Sequence, residues 1–76
     1  MTFQPDTLAG QISTEILRVS AKRERDLRTA QAAGAVGEAR QGLYLMDQAL
    51  HFAREARDEM CPVAMIAWLR TLEDFR

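Results

Sequence analysis

Along the first third of the chain, apolar side chains recur every three or four positions: Leu8, Ile12, Ile16, Val19, Leu27 and Ala30. At ~100° per residue they fall within one arc of roughly 100°, with Arg18, Lys22 and Arg25 opposite, which is the pattern of a helix that is apolar on one side. Pro5 sits where a first helical turn tolerates proline, and Asp6 adds negative charge at the positive end of the helix dipole. The pattern predicts a first helix over approximately residues 5–33. Its surface charges pair at i,i+4, Lys22 with Asp26 and Glu24 with Arg28, each pair worth a few tenths of a kcal/mol.

Gly34 and Gly37 interrupt this pattern, and glycine is the usual residue of the left-handed turn that ends a helix. The chain is expected to reverse there. One continuous alanine-rich helix is the alternative, at a cost of about 1 kcal/mol per glycine relative to alanine.

Over approximately residues 38–60 the apolar arc widens to roughly 180°: Leu43, Leu45, Met46, Ala49, Leu50, Phe52, Ala53, Ala56 and Met60. A helix apolar over half its circumference touches two neighbours, so this is the middle helix of a bundle. Pro62 disfavours helical backbone at Cys61 and suits a first turn, which places a third helix over approximately 62–75. Its apolar arc, which includes Met65, Ile66, Trp68, Leu69, Leu72 and Phe75, spreads over roughly 200°. Docking on one hairpin requires less than that, and the excess lies on the Trp68/Phe75 edge. The expected fold is all-α, an antiparallel helical hairpin plus a shorter third helix, forming a single three-helix bundle that self-associates.

The 76 residues limit the core, and cores of this size rarely supply more than about 3–5 kcal/mol without a staple or a partner chain. One cysteine and one histidine are too few for an internal disulfide or an all-protein zinc site. Cys61 is expected to be a small buried side chain at a helix junction. The N-terminal Met1–Asp6 segment has neither the basic start nor the apolar run of a secretory signal, and no stretch has the ~20 apolar residues needed to span a bilayer. A soluble, cytoplasmic protein with no membrane association is therefore expected. Ten basic and eleven acidic residues, net charge −1, give no overall field toward nucleic acid.

Two arginines lie at the centre of apolar arcs. Arg23 is expected to lay its stem on the core and lift its head to water; a hairpin turning near residue 35 also brings it level with about Asp47, where an ion pair would set the register. Arg57 poses the same question, with Glu15 or Asp6 as partners, and emergence into water is again favoured.

Asp47, His51 and Glu55 align at i, i+4, i+8, but three ligands strung over two turns of one helix cannot close around a metal. The arrangement reads as a solvated face. Arg18, Lys22 and Arg25 form a short basic stripe that could touch phosphates, diluted by Glu15, Glu24 and Asp26 and lacking interleaved aromatics.

There is no nucleophile–base pair, phosphate loop or metal quartet, and no cofactor is expected. The chain is therefore expected to be a non-catalytic interaction module, a regulator, inhibitor, adaptor or chaperone-like protein that binds a partner protein and dimerises. Its expected interface is Leu45, Phe52, Met65, Trp68, Leu72 and Phe75. The alternative is a dimeric nucleic-acid-binding regulator that uses the Arg18/Lys22/Arg25 stripe. A ligand site formed between subunits by Tyr44, His51 and Glu55 ranks last.

Overall fold

A computed structural model describes residues 5–76, with side-chain surroundings from residue 7 onward. The Met1–Gln4 segment and the side chain of Asp6, invoked above for the dipole and for Arg57, lie outside the described residues. Three helices follow in order, α1 (Pro5–Ala33), α2 (Val36–Asp58) and α3 (Pro62–Glu73), and each packs against the other two. The fold is an all-α hairpin with a shorter third helix laid into it, 47 × 17 × 15 Å overall. Among the described residues, no helix is long and apolar enough to cross a membrane.

The reversal between α1 and α2 needs only two residues. The Ala35 amide donates to the Ala30 carbonyl (2.8 Å) and the Gly34 amide to the Gln31 carbonyl (3.2 Å), with Gly34 at φ +68°. These bonds satisfy carbonyls that the helix end would leave unpaired, in the geometry that favours glycine. The hairpin therefore turns at Gly34, and α2 resumes at once, two residues before the expected start.

The same device ends α2, with Cys61 donating to Ala56 (3.3 Å) and Met60 to Arg57 (3.1 Å). Here the left-handed position, φ +53°, is held by Met60. A side chain with a Cβ is strained in that conformation by roughly 1–2 kcal/mol. The turn swings Cys61 to the outside as the extended N-cap residue of α3, so Cys61 is exposed and not the buried junction residue expected from the sequence.

The core runs along the seam of the three helices: Leu8, Ile12, Ile16 and Val19 from α1, Leu43, Met46, Ala49, Leu50, Ala53 and Ala56 from α2, Met65 and Leu72 from α3. Among the described residues every buried side chain is apolar, and no buried side-chain polar atom lacks a partner. The alanines of α2 let the helices approach closely where α3 enters.

At ~1.5 Å per residue, the 12 residues of α3 reach about 18 Å, against about 34 Å for the 23 of α2. Beyond the end of α3 the hairpin is two helices thick. Its open side is a groove of about 490 Å³, lined by small residues such as Ala30, Ala33, Ala39 and Gly42 over Leu43 and Met46.

Candidate protein interface between the second and third helices

α3 uses most of its wide apolar arc inside the molecule. Met65 and Leu72, seven residues apart, are both 0% exposed at the centre of the seam. Ile66, Leu69, Ala64, Trp68 and Phe75 are partly buried around them. Met65 and Leu72 therefore leave the set of interface residues expected from the sequence. The excess arc is largely consumed because α3 seats against α1 and α2 at once rather than docking on one of them.

What stays open is the outer side of the α2–α3 furrow. The Phe52 and Trp68 rings stack across it with centroids 5.2 Å apart and planes 14° from parallel, and His51 meets the Phe52 ring edge-on at 5.1 Å. Phe52 remains 40% exposed and Leu45, seven residues earlier, 50% exposed. Residues seven apart on a helix lie within about 20° of one another, so Leu45, Phe52 and Glu59 share one edge of α2. Below the aromatic pair is a depression of about 180 Å³ lined by Phe52, Glu55, Ala56, Glu59, Ala64 and Trp68.

The sequence reading missed Glu55 and Glu59 as members of this edge. The signal that would have placed Glu59 there is the seven-residue step from Leu45 through Phe52.

The basic stripe does not form a free surface. Arg18 turns toward α3: its guanidinium donates to the carbonyls of Phe75 (2.6 Å) and Leu72 (2.8 Å) and to Glu15 (2.7 Å). Cations at a helix C-terminus satisfy its unpaired carbonyls and complement its dipole, so Arg18 acts as the clamp that ends α3. Lys22 is held by Asp26 at 2.9 Å. Of the three cations in the stripe, Arg25 alone makes no ion pair among the described residues. The stripe was placed opposite the core on the apolar pattern of α1 alone, and α3 widens the packed side of α1 until Arg18 stands at its margin, partly covered.

Arg23 reaches Asp47 at two points, Nε to Oδ1 at 2.6 Å and a terminal guanidinium nitrogen to Oδ2 at 3.3 Å. The hydrogen bond and the charge of Asp47 hold the Arg23 pKa above its ordinary value. The arginine thus emerges from the arc as the snorkelling reading has it, but its head meets a carboxylate rather than open water. Glu24 approaches Arg23 at 3.4 Å instead of forming the expected i,i+4 pair with Arg28. Arg57 contacts its neighbour Asp58 at 3.4 Å and does not reach Glu15, which Arg18 holds.

With Asp47 engaged by Arg23, the Asp47–His51–Glu55 row is reduced to a His51–Glu55 contact of 3.6 Å. Among the described residues, no three His, Cys, Asp or Glu side chains stand close enough to hold a metal ion. Tyr44 and Leu17 are exposed away from the furrow. Compared with protein families, curated proteins and solved structures, the chain matches none.

Proposed function

We propose that this chain is a non-catalytic helical interaction module, a regulator, inhibitor or adaptor, that acts by binding a protein partner along the outer edge of α2 and α3. One observation carries the reading: the stacked Phe52–Trp68 pair, open to solvent on one side and continued along α2 by the half-exposed Leu45. Aromatic anchors in such positions dominate protein contacts once a partner excludes water from them. Trp68 and Phe75, already seated against the core, are pre-positioned and lose little side-chain freedom on binding.

A second copy of the chain is one protein that could use the edge. Light scattering coupled to size exclusion, over a range of concentrations, separates the cases. A mass twice 8.6 kDa that falls to the monomer value in Phe52→Ala/Trp68→Ala assigns the edge to self-association. A monomer at all concentrations leaves it to a different protein. If that double variant, still folded, keeps both the oligomeric state and the partner binding of the parent, the reading fails.

A further inference from the structure

Resting on the interaction reading above, we infer that the α2–α3 furrow takes a basic amphipathic helix, with an apolar side chain on the Phe52–Trp68 pair and Lys or Arg a turn further on facing Glu55 and Glu59. The depression beneath the aromatic pair is lined by four apolar side chains and two carboxylates, with no cation among them. Its volume, about 180 Å³ and open to solvent, is on the scale of one side chain rather than of a whole ligand.

These two acids differ from four others in lacking an arginine or lysine partner; Glu38, Glu73 and Asp74 share that lack among the described residues, but none of the three lines the depression beneath the aromatic pair. Glu15 is matched by Arg18 at 2.7 Å, Asp26 by Lys22 at 2.9 Å, Asp47 by Arg23 at 2.6 Å and Asp58 by Arg57 at 3.4 Å. Glu55 has only His51, at 3.6 Å, and Glu59 has no ion pair among the described residues. Negative charge with no ion pair to arginine or lysine is therefore set, exposed to solvent, at one end of an apolar furrow, where its pull on a basic partner is screened by salt.

A basic partner completes this surface and an acidic one is repelled. The edge from Leu45 through Phe52 to Glu59 spans about 21 Å at ~1.5 Å per residue, the length of about four helical turns.

Trp68 is the only tryptophan, so its emission reports on the furrow directly. The probes are two synthetic helical peptides with the same i, i+3, i+4, i+7 leucine stripe, one flanked by arginines and one by glutamates. We expect the arginine peptide to shift Trp68 emission saturably at low salt and to bind about tenfold more tightly than the glutamate peptide, the scale of two surface charge contacts. The preference should shrink as salt rises, and Glu55→Lys/Glu59→Lys, with unchanged circular dichroism, should invert it. Equal affinities would overturn this inference and leave the interaction reading standing. No saturable shift with either peptide, in a protein that stays monomeric, would overturn this inference and leave the interaction reading to the Phe52→Ala/Trp68→Ala variant. A dimer that buries Trp68 and that neither peptide displaces would assign the furrow to a second copy and overturn this inference alone.

Discussion

Two residues sit in the same left-handed conformation for opposite reasons. Gly34 has no Cβ to strain and closes the α1–α2 turn freely at φ +68°, whereas Met60 closes the α2–α3 turn at φ +53° with a side chain that is about half exposed. Gly34→Ala should therefore destabilise the protein by about 1 kcal/mol, and Met60→Gly should stabilise it by at most about 0.5 kcal/mol, because the relief of strain is partly offset by the half-buried side chain it removes. Urea melts of the two variants with unchanged slope test both signs. The Arg23–Asp47 pair is partly exposed, so a double-mutant cycle to alanine should return a coupling of only about 0.3–1 kcal/mol, smaller in 1 M salt. Asp47 raises the Arg23 pKa on folding. Stability linked to a raised pKa is complete below the unfolded value and is lost only as pH climbs through the folded one. For arginine that window lies above about pH 12, so this linkage should leave the stability curve flat from about pH 7 to about pH 10.

At the scale of elements, α3 is held by its apolar seam and, among the described residues, by one polar clamp. Arg18 is the residue of α1 that donates to the end of α3, at 2.6 and 2.8 Å. Arg18→Met keeps the stem and removes the clamp. It should cost about 1–2 kcal/mol, the range of a charge-assisted bond discounted for partial exposure. Amide hydrogen exchange in Leu69–Phe75 should rise more than exchange in α2; equal acceleration everywhere would show that α3 does not depend on it. The helices themselves were legible because helical periodicity is local: Pro62, Gly34 and the three- and four-residue recurrence of Leu8, Ile12, Ile16 and Val19 each act within a few residues. Which side of a helix a neighbour covers is not local. Arg18 looked solvated and Met65 and Leu72 looked available for the same reason, since an apolar arc read one helix at a time cannot show that α3 seats against both partners. Leu45 and Phe52 were legible as interface candidates from the width of the α2 arc, but the surplus itself was read on the Trp68/Phe75 edge, Glu55 was counted with the solvated face and Glu59 was not placed.

The whole molecule divides into a covered half and a bare tip. Where α3 lies in the hairpin, side chains from three helices interlock; toward Gly34 only α1 and α2 remain, over a floor of alanines and Gly42. Local opening free energies follow buried contact, so amides of Gln31–Arg40 should exchange fastest and those of Ile12–Val19 and Ala49–Ala56 slowest. Uniform protection to the tip would mean that something covers it in solution. The exposed apolar surface with aromatic anchors lies instead on the covered half, which gives the Phe52–Trp68 edge a rigid backing. The most direct test of its role is site-specific photo-crosslinking, with a photoreactive side chain at position 52 and, as a control, at Leu17, 72% exposed on α1 away from the furrow. The predicted result is a discrete protein adduct from position 52, absent from position 17 and lost with Trp68→Ala, whose added mass tells a second copy from a different protein. The same adducts from both positions, or none from position 52 in the folded protein, would contradict an interaction surface at this edge.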